Sequence, residues 1–94
     1  MVFVDPPAWP ARGRLWCHLI SDASYAELHV FAELMGVPRR GFDRDHYDLP
    51  AERFGQAVWL GARAVSSRLI VARLVHSGLR RPKHQHPASR PPLG

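Results

Sequence analysis

The chain has little from which to build covalent chemistry. Only one of its 94 residues is a cysteine, Cys17, so neither a disulfide framework nor a cysteine metal cage can form within it. A lone cysteine suits a reducing cytoplasm, which is the expected location. No apolar run approaches the roughly 18 residues that cross a bilayer, so no membrane partner is expected. The opening MVFVDPPAWP lacks the basic start and long apolar stretch of a signal peptide. Glycine-rich phosphate loops, zinc-finger spacings and the nucleophile elbow are all missing.

Acidic residues are also scarce, eight against thirteen Lys and Arg, a net charge of +5. The excess is not spread evenly. Four of the basic residues lie in 80–94, RRPKHQHPASRPPLG, which has four prolines, no acid and one aliphatic side chain. Such a segment cannot bury enough apolar area to offset its ordering entropy, and residues 80–94 are expected to be a disordered basic tail. Residues 1–79 are then a single compact domain, nearly neutral, with nine basic residues against eight acidic. The tail can add weak nucleic-acid contact by counterion release. Its His84 and His86 would bind metal only adventitiously.

What is present is an alternation of short strands and helices. Val2-Phe3-Val4 is a strand closed by Asp5-Pro6-Pro7, and Leu15–Ile20 is a second, apolar on both faces. Ser24-Tyr25-Ala26-Glu27 reads as a capping box, opening a helix whose Leu28, Phe31, Ala32 and Met35 form one stripe up to Gly36. The polar stretch 37–49 holds a short strand near Arg40–Phe42. A second helix is expected from Leu49-Pro50 to Gly61, a strand at Arg63-Ala64-Val65, and a third helix capped by Ser67 and ended by Gly78. This order predicts an α/β domain of two or three layers with about three helices and a small, at least partly parallel sheet. The alternative is α+β, since the link between the first two strands is short for a crossover.

Chemistry concentrates in two segments, Trp16-Cys17-His18 running to Asp22, and His46-Tyr47-Asp48. If extended, His46 and Asp48 share one face with Tyr47 opposite, which brings an imidazole and a carboxylate together. Asp22, just beyond the second strand, could orient His18. Asp5 would join them only if the first two strands were parallel. Cys17 and His18, as adjacent strand residues, point to opposite faces and make a poor nucleophile-base pair. His29 and His76 read as surface residues, and the three tryptophans as packing groups.

The candidate site is thus His18, Asp22, His46 and Asp48 as catalytic groups, with His18, His46, Asp48 and Asp5 as metal ligands. A divalent metal ion is the implied cofactor, and a phosphate-containing small molecule the implied partner. The reaction these residues suggest is metal-assisted hydrolysis of a phosphoester or nucleotide, with the helix starts at Ser24 and Ser67 receiving the phosphate. The rival reading is a non-catalytic ligand-binding or adaptor module in which the same residues brace the fold.

Several of these residues together resemble a known family. Val4-Asp5, Trp16-Cys17-His18-Leu19 with Asp22, Glu27-Leu28 with Phe31-Ala32, Gly36, His46-Tyr47-Asp48, Arg53, Leu60-Gly61-Ala62 and Ser67-Arg68 are similar to domain of unknown function 4031. That family comprises small proteins of bacteria and their phages. The resemblance runs from about Val2 to Leu79, is weakest over 37–45, and implies a compact stand-alone cytoplasmic domain.

Overall fold

Apolar residues at successive positions in Val2-Phe3-Val4 and in Leu19-Ile20 require a sheet covered on both sides. The computed structural model describes residues 1–81 and has that build. Its strands are β1 (Val2–Val4), β2 (Trp9–Ala11), β3 (Arg14–Ser21), β4 (Phe42–Asp43), β5 (His46–Pro50) and β6 (Arg63–Ala64). Its α-helices are α1 (Tyr25–Leu34), α2 (Phe54–Trp59) and α3 (Ser67–Ser77), with single 3-10 turns at Arg39–Gly41 and Ala51–Arg53.

The sheet order is β4-β5-β3-β1-β6, with β2 also paired to β3. β1 and β6 are parallel, and the other pairings are antiparallel. The chain is therefore a mixed α/β fold, as its alternation of elements predicts. The first two apolar strands, β1 and β3, pair antiparallel, in keeping with their short connection.

Both β1 and β2 lie along the same chain, β3: Val2 to Val4 pair with Ser21 to Leu19, and Trp9 to Ala11 with Trp16 to Arg14. Between them Asp5-Pro6-Pro7-Ala8 leaves the ladder, because the two prolines have no amide to donate. Asp5 and Ala8 on either side still donate to the His18 and Trp16 carbonyls, each at 3.2 Å. The turn from β2 to β3 is Arg12-Gly13, with φ of 50° and 75°, as a tight hairpin requires. Pro10 argues against a strand, but β2 pairs on one side only, where a missing donor costs little.

Alternate residues serve different layers. Val2, Val4, Cys17, Leu19, Tyr47 and Leu49 pack with Leu28, Ala32 and Met35 from the α1 segment and Ala57 of α2. On the other face Phe3 and Ile20 pack with Ile70 and Leu74 of α3. Two helices thus cover one face, while α3 covers only the part of the other that lies over β1 and the end of β3. The remainder of that face carries Trp16, His18, His46, Asp48 and Pro50. Among the described residues no helix lies over it.

Local boundaries depart from expectation where tertiary pairing intervenes. Leu49 and Pro50 complete β5 opposite Cys17 and Trp16, so α2 starts at Phe54 instead of Leu49-Pro50. Arg39–Gly41 forms a 3-10 turn, and the strand predicted at Arg40–Phe42 begins only at Phe42. Ser24 does cap α1, its hydroxyl accepting from the Glu27 amide at 3.0 Å. Glu27 does not close the box, because its carboxylate instead takes the Ser21 hydroxyl and the Met1 ammonium. The cap of α3 is Ser66, not Ser67, which leaves the Ser67 hydroxyl free to bond elsewhere.

His29 is half-buried beside Tyr47, with its Nδ1 2.7 Å from the Tyr47 hydroxyl, and is not a free surface residue. Trp9 and Trp16 pack, but Trp59 is 84% exposed. Leu79, Arg80 and Arg81 are held by the fold: the Tyr25 hydroxyl donates to the Leu79 carbonyl, and the Arg81 amide to Asp45. These contacts lie at and just past the expected boundary at residue 79. The disorder expected for the rest of the tail, and its two histidines, fall outside the described residues. No helix among the described residues is long and apolar enough to cross a membrane.

Candidate metal centre

Strand register assembles the site. β3 and β5 pair antiparallel with His18 opposite Asp48, and directly opposite residues project from one face. His46 lies two residues from Asp48 along β5 and shares that face. The His18 and His46 rings lie 5.2 Å apart, centroid to centroid. One ligand atom from each of His18, His46 and Asp48 falls within 4.8 Å of the other two.

Behind each imidazole stands a buried carboxylate. Asp5 is fully buried; its Oδ1 accepts the His18 amide at 2.6 Å, and its Oδ2 lies 2.9 Å from His18 Nδ1 and accepts the Ser67 hydroxyl at 2.7 Å. Asp45, also buried, sits 2.8 Å from His46 Nδ1 and accepts the Arg81 amide at 2.9 Å. An ionised carboxylate only accepts, so each Nδ1 carries hydrogen, and it is loss of any proton on Nε2 that frees that nitrogen's lone pair for a metal. Metal-binding histidines are oriented in this way. Trp9 stacks on His18 at 5.1 Å and 16°, fixing the ring from another side.

Asp48 supplies the third donor. Its Oδ1 is buried, and its one near polar neighbour is His46 Nε2 at 3.0 Å, within ion-pair range but without good hydrogen-bond geometry. An orphaned buried acceptor is costly, and a cation between the two would satisfy it. The spacing suits that role, since neighbouring ligands around a tetrahedral ion with bonds of ~2.0–2.1 Å lie about 3.3 Å apart.

Electrostatics follow the geometry. Burial pushes the Asp5 and Asp45 carboxyls up, but hydrogen bonds from His18 and Ser67, and from His46 and Arg81, outweigh it and leave both below the usual carboxylate range. Burial pushes His46 down, yet Asp45 and Asp48 outweigh that and raise it to about 9. In metal-free protein, a histidine raised from 6.5 contributes stability that is full below pH 6.5 and lost as pH rises through about 9. The expected loss is about 3 kcal/mol, at 1.36 kcal/mol per pKa unit. Urea midpoints in chelator at pH 6.5 and 9.5 measure it, with His46→Gln flattening the dependence. A wild-type profile that is flat or rises over this range contradicts the assignment. The two aspartates act oppositely: their stability is present above the unfolded carboxylate range and is lost on acidification.

The site opens into a cleft of about 680 Å³ with Trp9, Ser67, Arg44 and Arg80 on its walls. Another cavity, about 570 Å³ between Met1 and the Val30–Leu34 side of α1, is lined mainly by apolar side chains.

Of the residues singled out from sequence, His18, His46 and Asp48 converge. Asp5 joins them as a support for His18, with its oxygens already occupied, and not as a ligand. Asp22 stands apart, at the far end of β3, where its Oδ1 takes the Met1 ammonium at 3.0 Å. The antiparallel pairing of β1 and β3 separates the two aspartates as expected, but Asp22 is the one left outside. The Ser24 helix start lies with Asp22 and faces no part of this cleft, whereas Ser67 lines it. Cys17 is buried on the opposite face, its thiol on the Leu49 carbonyl and pushed by burial to about 12. It is no nucleophile.

Asp45 went unread in the sequence. It adjoins His46, and in a continuous strand adjacent side chains diverge; here it lies in the turn from β4 to β5, beside Arg44 at φ 59°, where that alternation does not hold. The run Asp45-His46-Tyr47-Asp48 was the available signal.

No curated protein and no solved structure matches this chain. The family model described as "Protein of unknown function (DUF4031)" matches residues 2–77, and the chain belongs to that family.

Proposed function

We propose that the cleft holds one divalent transition-metal ion on His18, His46 and Asp48 and uses it to hydrolyse a phosphate ester in the cytoplasm. The observation that carries this reading is the pair of histidines, each fixed through Nδ1 by a buried aspartate, facing an orphaned Asp48 oxygen. Two imidazoles and one carboxylate suit Zn²⁺, Mn²⁺ or Fe²⁺ better than Mg²⁺ or Ca²⁺. Three protein ligands leave a coordination position for water, the arrangement of catalytic sites and not of structural ones. The bound ion would lower the pKa of that water to about 7. Arg44 and Arg80 on the cleft wall, paired at 3.4 and 3.7 Å with Asp43 and Asp45, keep further guanidinium donors for an anionic substrate such as a phosphate.

Metal-stripped protein titrated calorimetrically with Zn²⁺ and with Mn²⁺ is expected to bind one equivalent. With metal restored it should release p-nitrophenol from mono- or bis-(p-nitrophenyl) phosphate, and chelator should stop the release. Failure to bind either ion rejects the reading. Binding without hydrolysis of any phosphoester favours the non-catalytic ligand-binding module, and turnover that survives chelator assigns the chemistry to the imidazoles alone.

A further inference from the structure

The uncovered sheet face continues past Asp48. A groove of about 420 Å³ shares Asp43 and Asp48 with the metal cleft and runs over Trp16 toward Arg12, Arg40 and Arg53. These arginines come from three remote places: the hairpin turn, the 3-10 turn after α1 and the 3-10 turn before α2. Arg12 lies over the Trp16 ring at 4.8 Å, and neither Arg12 nor Arg40 forms an ion pair among the described residues. Arg53 gives one nitrogen to the Met35 carbonyl and Gln56, which fixes its plane.

We propose that this groove holds the backbone of a single-stranded nucleic acid, so that the metal site acts on an internal phosphodiester of a chain. The cleavage part rests on the hydrolase reading above; the binding part does not. A lone phosphate group would fill one side of Asp48 only, whereas two adjoining cavities, each within the usual range for a ligand of some size, accommodate a polymer that passes across it. Free guanidiniums beside an aromatic ring are the groups that hold successive phosphates of a strand. A single strand is flexible enough to follow two adjoining clefts around Asp48, whereas a duplex is stiff over this length. Arg80, on the wall of the adjoining metal cleft, adds a further cation. In the reaction a water oxygen bonds to phosphorus, the ester bond to one sugar oxygen breaks, and the water proton ends on that departing oxygen.

The test is binding of fluorescein-labelled dT20 to the full chain in chelator, followed by anisotropy across a salt series. Arg12→Asn combined with Arg40→Gln is the informative variant, since asparagine tolerates the positive φ at position 12. Affinity should fall about tenfold or more, and the slope of log K against log salt should shrink by about 1.4, near 0.7 for each lost phosphate contact. Arg63→Gln, on the opposite edge strand, should change affinity less than about twofold. A 20-base-pair duplex should bind the wild type more weakly than dT20. An unchanged slope in the double variant with its thermal midpoint preserved, absent wild-type binding, or tighter duplex binding would each overturn the proposal. None of these readouts depends on metal, so a failed Zn²⁺ titration rejects the hydrolase and leaves the strand-binding result standing.

Discussion

Alanine at His46 is expected to reduce metal affinity by two to three orders of magnitude and to abolish any metal-dependent hydrolysis. Four-ligand structural zinc sites are worth about 10–16 kcal/mol, or roughly 3–4 kcal/mol per protein ligand. Losing that amount corresponds to a factor of about 10²–10³ in binding. Asp45→Asn keeps all three ligands but weakens the hold on the imidazole, so its effect should be smaller, about 10–100-fold. Asp22→Asn should leave metal affinity unchanged, because Asp22 bonds the Met1 ammonium at the far end of β3. Zn²⁺ titrations of the three variants measure this order. If Asp22→Asn proves as damaging as His46→Ala, the ligand set is wrong.

That ordering inverts part of what the sequence alone suggests, and the reason is physical. Patterns local in the chain were legible. The alternation in His46-Tyr47-Asp48 put imidazole and carboxylate on one face, and β5 realises it. Alternation likewise set Cys17 against His18, and the buried thiol lies in the layer opposite the cleft. The Ser24 cap, the stripe from Leu28 to Met35 and the left-handed Gly78 all depend on residues within one helical turn, and all occur.

Relations between remote segments were not legible. Asp22 looked like the partner of His18 because it is four residues away. Asp5 is the partner because β1 returns antiparallel along β3: pairing Val4 with Leu19 sets the next residue, Asp5, opposite His18. Nothing near His18 encodes that return. The arginine groove is a stronger case. Residues 1–79 count as almost neutral, yet the fold gathers Arg12, Arg40 and Arg53 around a groove lined by only two acids, Asp43 and Asp48, and ties others away from it: Asp22 and Glu27 to the Met1 ammonium, Asp5 and Asp45 behind histidines. A balance of charges over the chain therefore says little about the field over one face. The open face itself has a simple origin. α3 is a single helix over one half of the sheet, so the polar residues of β3 and β5 stay accessible without a cavity in the core.

Asp5→Ala is expected to destabilise the fold by about 3–5 kcal/mol, the cost of removing one partner from a buried charged network. Asp5 joins three elements: it follows β1, accepts both the backbone and ring N–H of His18 in β3, and accepts the Ser67 hydroxyl at the start of α3. Removing the carboxylate strands all three donors, two of them at the only place where β1 departs from β3. Asp5→Asn keeps the side-chain volume and one acceptor oxygen, so part of the network survives and the loss should be nearer 1–3 kcal/mol, that of an unsatisfied buried group. Ser67→Ala removes one hydrogen bond and should cost only about 1 kcal/mol. Equilibrium urea unfolding of the three variants in chelator measures the series. The order Ala, Asn, then Ser67→Ala identifies Asp5 as the node that fixes His18. An Asp5→Ala protein as stable as wild type would mean that His18 is held by Trp9 stacking alone, with the Asp5 carboxylate incidental to the site.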